Sequence, residues 1–466
     1  MEYSTEMLTA LAQQLTEAFK LALAEHLRAS QAEPTIAEIE TEMRQMLRQI
    51  GAQALSLFLS TALGTPTAEI ACPCGGQLHY QRTREAKLTT VFGKISYRRA
   101  YYAGCSCGQG KAPLDEKYGL VPGALSSGLA CLIGLAGVEF AFDESRAWLE
   151  RFLLFDVSEN SVRSETQTFG ELQKAREVVA QHQSQDEDQL QLRQRTAGVG
   201  PTRLYGSIDA AKVRIEPRPL AEKQVEDREI WRDLKVGCWY EAETVSPAQR
   251  SVRQRAKFAQ EQTALRAKNI RYYCDIAEAE TFGLQVWATG CAALADRAPE
   301  LIFVCDGAVW IWNLIEHYYS QAVQIVDGYH AEEHLQGVAQ AAFPKEADRR
   351  PWLEINTQDL WEGRVEDVIQ TCTQLAQHCP AAGRAVTYFT HNAHRMKYDE
   401  FRAAGYLIGS GTVESGCKQI VTQRLKQPGA QWTVPGAVKT AKARAAWLSG
   451  EWDILCAQRA ALPLAL

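Results

Sequence analysis

The order of the apolar runs in the second half of the chain constrains the fold more than any other feature. Three β-type runs follow one another, RLYGSIDAAKVRI, WRDLKVGCWYEAE and IRYYCDIAEA, and helix-like and strand-like runs then alternate. The alternating part contains LIFVCDG and VQIVDGYH, and each of these is a short apolar strand that ends in Asp-Gly. Three consecutive strands followed by a β-α-β-α segment predict one mixed sheet flanked by helices.

This order is that of the RNase H fold, whose active site takes acids from the first strand, from the end of the fourth strand and from a later helix. The sequence has an acid at each place, namely Asp209, Asp306 and Glu414. Carboxylates are the ligands that Mg²⁺ prefers, so we expect Asp209, Asp306 and Glu414 to bind two Mg²⁺ or Mn²⁺ ions for phosphoryl transfer. The simpler alternatives are a surface acid, a helix cap and a first-turn acid, respectively.

The whole sequence predicts an α+β multidomain protein whose catalytic domain is an RNase H-like mixed sheet. Changes in composition and in hydrophobic pattern divide the sequence into segments. They are an N-terminal helical region, expected to be a helical hairpin, at 1–65; a Cys-paired, zinc ribbon-like β-hairpin at 70–112; a helical, helix-turn-helix-like DNA-binding region at 113–178; a linker at 179–201; the catalytic domain at 202–448 with a helical insertion at about 349–402; and a C-terminal tail at 449–466.

Four of the 13 cysteines are paired as C-x-C, and a glycine follows each pair. They are Cys72, Cys74, Cys105 and Cys107, at the two ends of a predicted β-hairpin. Four thiolates in this arrangement predict a tetrahedral structural Zn²⁺. A β module of about 40 residues has too small a core to be stable without such a cross-link. A disulfide-bonded hairpin or a reduced one is the alternative.

The formal net charge of −6 argues against a uniformly basic nucleic-acid-binding protein. Three segments are nevertheless basic, each with six or seven Lys and Arg against one acid, at 72–111, 250–271 and 414–448. Such segments favour local binding of a polyanion, and solvated surfaces are the alternative. Because the N-terminus is acidic and no apolar run reaches about 20 residues, we expect a cytoplasmic, nucleoid-associated protein without a membrane partner.

Two groups of residues are candidates for contact with DNA. Arg163 and Gln167 lie on the polar face of the third predicted helix of the 113–178 region, where a helix-turn-helix module reads DNA. Arg424 and Lys426 are candidates for phosphate contacts, and Trp432 for stacking. A plain helical connector and a solvated basic helix are the respective alternatives.

Four blocks of the sequence, behind the cysteine-paired hairpin, resemble DDE-type insertion-sequence transposases. The blocks are SIDAAKV, CDGAVWIW, VDGYHAEEHL and GSGTVESGCKQ with the following RLKQPGAQW, and they most resemble the Kra-type family, which is related to the Mutator-like transposases. The resemblance implies cleavage of element ends and strand transfer through an Asp-Asp-Glu triad. It also implies DNA partners, namely the terminal inverted repeats and the target DNA, and a homo-oligomer.

The same resemblance singles out His330, because Mutator-like enzymes have a D-x-x-H motif after the fifth strand. Here the motif is Asp327-Gly-Tyr-His330, which implies that His330 contacts the scissile phosphate or transfers a proton. A polar residue at a helix start is the alternative. Two other functions compete with transposition: a nuclease on the same fold that never joins strands, and a non-catalytic DNA-binding protein derived from a transposase.

Overall fold

The computed structural model describes residues 35–196, 198–216, 230–245 and 264–461, with a few residues between 9 and 24. Half of the first predicted N-terminal helix, the break at Pro34 and most of the basic segment at 250–271 lie outside the described residues. The chain divides into two compact units, one of residues 1–169 with 453–466 and one of residues 170–452. In the described part, no helix combines the length and the apolar character needed to cross a bilayer.

The first unit combines a small antiparallel sheet with helices. Helix α1 (Ile36–Ala62) is followed by a three-stranded sheet in the order β1-β2-β3, and then by helices. The strands are β1 (Glu69–Ala71), β2 (Gln77–Thr90) and β3 (Gly93–Ala103), and the helices are α2 (Pro113–Tyr118), α3 (Ser127–Glu139), α4 (Phe142–Leu153) and the start of α5 (Glu159–Gln185).

Local sequence fixes the start of α1 and the side of the hairpin that it covers. Thr35 and Glu38 form a capping box, in which each side chain accepts a hydrogen bond from the other's backbone N–H. The buried side chain of Leu59 near the end of α1 belongs to one core cluster with Ile95 and Tyr97 of β3. Alternate residues of β3 are buried, as expected for a strand with one face on a core.

The linker predicted at 179–201 is mostly helical. Helix α5 continues to Gln185, and α6 (Glu187–Thr196) follows it. The segment is rich in Gln, which is a good helix former as well as a polar residue, so its polarity alone was a poor guide. The start of α5 is as predicted, because the Ser158 hydroxyl accepts a hydrogen bond from the N–H of Ser161 at 3.1 Å.

The second unit is built on a mixed five-stranded sheet with the order β6-β5-β4-β7-β8. The strands are β4 (Arg203–Arg214), β5 (Trp231–Val245), β6 (Ala264–Asp275), β7 (Glu300–Cys305) and β8 (Val323–Val326). Strands β4, β5 and β6 pair antiparallel, whereas β7 and β8 run parallel to β4. The prediction of an α+β protein with a mixed sheet is therefore confirmed.

Helices α7 (Ala279–Ala292) and α8 (Val309–Tyr318) connect the strands and supply aromatic side chains to the sheet. Tyr319, at the end of α8, packs against Trp239 of β5 and Phe303 of β7, with ring centroids 5.6 and 5.4 Å apart. These rings are almost fully buried, so they contribute strongly to the core.

The predicted insertion at about 349–402 is helical. After α9 (Gly328–Ala342), the chain forms a series of helices before it returns to the sheet. They are α10 (Glu346–Trp361), α11 (Val365–Ala376), α12 (Pro380–Asn392) and α13 (Tyr398–Ala403). Helix α14 (Gly411–Gly416) continues through a π-helical segment, Cys417–Thr422, and a last turn, Gln423–Leu425. Then come α15 (Val434–Leu448) and α16 (Trp452–Ala461), so the expected C-terminal tail is largely helical.

Candidate active site and metal centre

Two of the three predicted acids belong to neighbouring parallel strands: Asp209 lies within β4, and Asp306 directly follows the last residue of β7. The last β4–β7 register pair is Gly206 with Phe303, and each acid is three residues further along the chain. Adjacent strands are about 4.8 Å apart and residues at matching positions face the same side, so continuing the register places the two carboxylates side by side. The charge of Asp209 acts on the carboxyl of Asp306, which agrees with this placement.

Backbone N–H groups hold both carboxylates. The N–H of Ala210 donates to Asp209 Oδ1 at 2.6 Å, and the N–H of Ala308 donates to Asp306 Oδ1 at 3.0 Å. The second bond is the turn geometry expected of an aspartate before a helix. Both residues remain partly exposed.

The third acid, Glu414, is linked to the sheet through Ser410. The Ser410 hydroxyl lies 2.7 Å from Glu414 Oε1 and 2.5 Å from Asp327 Oδ2. The backbone N–H of Ser410 donates to the same Asp327 oxygen at 2.6 Å. Ser410 therefore joins the helix that carries Glu414 to the acid at the end of β8.

Asp327 is a fourth acid of this cluster and is almost fully buried. Its Oδ1 accepts hydrogen bonds from the N–H groups of Tyr329 at 2.7 Å and His330 at 3.1 Å, and so caps the start of α9. With the N–H of Ser410, its carboxylate accepts three backbone hydrogen bonds, and the single proton of the Ser410 hydroxyl is shared between Asp327 and Glu414. This is the role of a fixed anchor, whereas Asp209, Asp306 and Glu414 remain more accessible.

The π-helical segment after α14 connects Glu414 to Asp209. Cys417, the first residue of that segment, is close enough to Asp209 for the charge of that carboxylate to act on its thiol. Burial and then the charge of Asp209 raise the pKa of this thiol, so it is a donor at neutral pH. π-Helical turns are rare and are frequent at functional sites.

The acids share one electrostatic environment. Partial burial raises the pKa of Asp306, and the charges of Asp209 and Asp327 act in the same direction, while His330 opposes them. Partial burial also raises the pKa of Glu414, again with contributions from Asp327 and Asp209. Negative charges that raise one another's pKa in this way are stabilised by a bound cation.

His330 lies at the edge of the acidic cluster. Its side chain is 43% exposed, and Nδ1 is 3.5 Å from Glu333 Oε2. Its ring is in edge-to-face contact with that of His334, at a centroid distance of 5.2 Å. The structure therefore places His330 near enough to Asp306 for its charge to act on that carboxyl.

Asp209, Asp306 and Glu414 do not form a single compact ligand shell in this structure. Among the described residues, only the four paired cysteines form a group of three or more His, Cys, Asp or Glu side chains close enough to hold one metal ion. Two ions about 4 Å apart would divide the carboxylates between them, so such a site does not require one compact group. Glu414 Oε1 is instead directed at Ser410.

The four paired cysteines form the compact group. Their sulfur atoms all lie within 4.8 Å of one another, and the neighbouring pairs Cys72–Cys107, Cys72–Cys74 and Cys74–Cys105 are 3.5, 3.4 and 3.3 Å apart. All four thiols are free, which excludes the disulfide-bonded alternative in this structure. Zn–S bonds of 2.3 Å in a tetrahedron separate the sulfurs by about 3.8 Å, close to the observed distances. The thiols therefore fit a metal ion such as zinc.

The backbone around the two cysteine pairs follows the same pattern. Gly75 N–H donates to Cys72 C=O at 3.0 Å, and Gly108 N–H donates to Cys105 C=O at 3.0 Å. Both glycines have positive φ, +90° and +74°, which other residues rarely adopt. The two C-x-C-Gly turns thus present their thiols to one point, which explains why a glycine follows each pair.

One thiol of the cluster has thiolate character without a metal. The backbone N–H of Cys107, followed by the neighbouring thiols, lowers the pKa of Cys105 to about 6. Thiolates are the form that binds metal ions.

The predicted DNA contacts divide into exposed and buried residues. Arg163 on α5 is exposed and makes an ion pair with Glu159 at 2.6 Å, and Gln167 one turn later is partly exposed. Lys426 is exposed as well. These three residues remain candidates for contact with DNA.

The prediction that Arg424 and Trp432 contact DNA is wrong for this structure. Their side chains are only 2% and 6% exposed, and the guanidinium carbon of Arg424 is 5.3 Å from the centre of the Trp432 ring. The Trp432 indole N–H donates to the Leu425 C=O at 2.9 Å. The arginine and the tryptophan pack on each other inside the unit, so neither presents a surface to a nucleic acid.

Sequence reasoning missed Tyr388 and the bridging hydroxyl of Ser410. Ser410 precedes α14, but its hydroxyl contacts acids rather than the backbone of that helix. Tyr388, on α12, lies against Gly307, next to Asp306. The one signal for it in the sequence is the glycine that follows Asp306.

No protein-family model matches the chain, and no curated protein matches it significantly.

Proposed function

We propose that the protein is a DNA transposase of the DDE type, similar to the Kra-type insertion-sequence enzymes, that cleaves element ends and transfers them to target DNA. One observation carries the proposal. Asp209, Asp306 and Glu414, which are far apart in the chain, share one electrostatic environment at the end of the mixed sheet. An isolated turn acid or helix cap does not require this convergence.

The sheet supports an RNase H-like catalytic domain. Three antiparallel strands are followed by two parallel strands on the other side of β4, and a helical insertion precedes the last acid. In open sheets, ligands bind at the carboxyl ends of the parallel strands, which is where Asp306 and Asp327 lie.

The residues have distinct roles in the proposed reaction. Asp209, Asp306 and Glu414 are the ligands for Mg²⁺ or Mn²⁺, which when bound would stabilise the charge that develops at the phosphate. Asp327 and Ser410 orient Glu414, and His330 would donate a hydrogen bond or a proton to a phosphate oxygen. The four cysteines hold a structural Zn²⁺ in the first unit.

The test is incubation of the purified protein with labelled element ends and Mg²⁺ or Mn²⁺, followed by mapping of the products. Asp209→Asn, Asp306→Asn and Glu414→Gln are each expected to reduce strand cleavage by about 1,000-fold or more, because each removes a charged ligand. Glu300→Gln is the matched control, since Glu300 begins the strand that Asp306 follows and pairs with Arg203 instead.

The products distinguish the competing functions. Cleaved ends joined to target DNA support a transposase, and cleavage without joining supports the nuclease on the same fold. DNA binding without any metal-dependent cleavage would contradict both enzymes and favour the transposase-derived binding protein.

A further inference from the structure

Both Asp-Gly steps at the ends of the parallel strands pack against aromatic rings from the helical insertion. A Cβ atom added to Gly307 would lie 2.1 Å from Tyr388 Cε2, and one added to Gly328 would lie 2.7 Å from Trp361 Cη2. Such distances are much shorter than any normal contact, so both rings approach the backbone as closely as glycine allows. The insertion therefore places an aromatic side chain directly beside each strand-terminal aspartate.

Tyr388 is held firmly in this position. Its ring stacks on that of His334 of α9, with centroids 3.9 Å apart and an interplanar angle of 23°. The next residue, Phe389, is fully buried and anchors α12. The side chain thus has one well-defined orientation, between α9 and the end of β7.

The hydroxyl of Tyr388 is the unusual part of this side chain. Its oxygen is buried and has no hydrogen-bond partner among the described residues. Burial, followed by the charges of Asp306 and Asp327, raises its pKa, so it remains protonated. A buried donor without an acceptor costs free energy unless a ligand supplies the acceptor.

A buried tyrosine hydroxyl without a hydrogen-bond partner does not by itself indicate a ligand site, and Tyr273 is an example. Its hydroxyl is also buried and also lacks a partner among the described residues, and its ring also packs on a glycine, Gly237. Tyr273 lies in the core of the sheet against Phe282, whereas Tyr388 lies beside two aspartates of the acidic cluster. Only Tyr388 is where an incoming phosphate would supply an acceptor.

We propose that Tyr388 is a further catalytic residue, whose hydroxyl donates a hydrogen bond to a non-bridging oxygen of the phosphate group that is attacked. The inference rests on the proposed function and deepens it, because it gives the helical insertion a direct role in the chemistry. Donation to a developing negative charge strengthens as that charge grows, so the bond favours the transition state.

The test compares Tyr388→Phe with Tyr273→Phe in the full-length protein. Both substitutions remove one buried hydroxyl from a ring packed on a glycine. With saturating DNA and Mg²⁺, Tyr388→Phe is expected to slow the single-turnover cleavage rate about 10- to 100-fold, the effect of one hydrogen bond to a charged group. The melting temperature is expected not to fall, because the hydroxyl has no hydrogen bond to lose, and the affinity for Mn²⁺ is expected to stay at its wild-type value. Tyr273→Phe is expected to cleave at the wild-type rate.

Two results at saturating Mg²⁺ would overturn the inference alone: cleavage by Tyr388→Phe within twofold of wild type, or an equal loss in Tyr273→Phe. Failure of the wild-type protein itself to cleave would instead overturn the proposed function and the inference with it.

Discussion

Gly307 is a residue whose role is decided by a neighbour from a distant part of the chain. An Asp-Gly step after a strand is ordinarily read as a turn. Here φ at Gly307 is not positive, and the glycine is needed because the ring of Tyr388 occupies the space of a Cβ atom. Gly307 is therefore a sequence signal for the close contact between the sheet and the helical insertion.

Gly307→Ala is therefore expected to destabilise the protein by about 1–3 kcal/mol, because the new methyl group must displace Tyr388. Gly337→Ala is the matched control. Gly337 is exposed in the middle of α9 and nothing lies within 4 Å of the added Cβ, so alanine there should stabilise by about 0.5–1 kcal/mol. Chemical denaturation measures both, and equal stability of the two variants would contradict the contact.

At the scale of elements, Lys442 shows how a basic segment can be structural. It lies on α15, is 1% exposed and contacts two acids, Glu177 of α5 and Asp275 of β6, with its ammonium group 3.0 Å from Asp275 Oδ2. It also donates to the Cys274 C=O at 2.7 Å. The expected polyanion-binding surface at 414–448 is thus partly a buried ion network that joins helices to the sheet.

Lys442→Met is expected to lower the free energy of unfolding by about 3–5 kcal/mol, because it leaves buried carboxylates without their cation. Lys439→Met, three residues earlier on the same helix, removes the more exposed ion pair with Glu171 and should cost no more than about 1 kcal/mol. A loss in Lys442→Met as small as that in Lys439→Met, measured by urea denaturation, would mean that the network is not stabilising.

The cysteine-paired hairpin is an element whose stability is expected to depend on metal. Cys105→Ser should lose the bound zinc, seen as a fall from one zinc per chain in elemental analysis, and the first unit should then unfold at a lower temperature. Cys456→Ser is the control, since Cys456 belongs to the same unit but lies outside the four-thiol group. Retention of a full zinc equivalent by Cys105→Ser would contradict the site.

Sequence patterns predicted these elements where short-range rules apply, and failed where burial decides. Apolar runs and turn residues located the strands, and the C-x-C spacing located the thiol group, because both depend on neighbours in sequence. The burial of Arg424 and Trp432 and the position of Tyr388 depend on contacts between distant segments. Charge and polarity alone also misled the reading of 179–201, which is mostly helical.

At the scale of the whole molecule, each compact unit contains one candidate metal centre. The four thiols lie in the first unit, and the acidic cluster of Asp209, Asp306 and Glu414 lies in the second. The ligands differ as zinc and magnesium differ, soft thiolates in one and hard carboxylates in the other. The four thiols already lie close enough together to share one metal ion, whereas the carboxylates are proposed to come together when their ions bind.

Protons are expected to compete with cations at the acidic cluster. Because the pKa of Asp306 and that of Glu414 are raised, these carboxyls take up protons at a higher pH than ordinary carboxyls do. Affinity for a divalent cation should therefore fall as the pH falls through those raised values, before Asp or Glu elsewhere is protonated.

The convergence of Asp209, Asp306 and Glu414 into a metal site is tested most directly by Mn²⁺ binding to the zinc-loaded protein. Calorimetry or electron paramagnetic resonance measures this binding. The wild-type protein and Glu300→Gln are expected to bind Mn²⁺ alike, whereas Asp209→Asn and Asp306→Asn should each weaken binding at least about tenfold, since each removes a charged ligand. No Mn²⁺ binding by the wild-type protein, or binding that is unchanged in Asp209→Asn and Asp306→Asn, would contradict the convergence of these acids into a metal site.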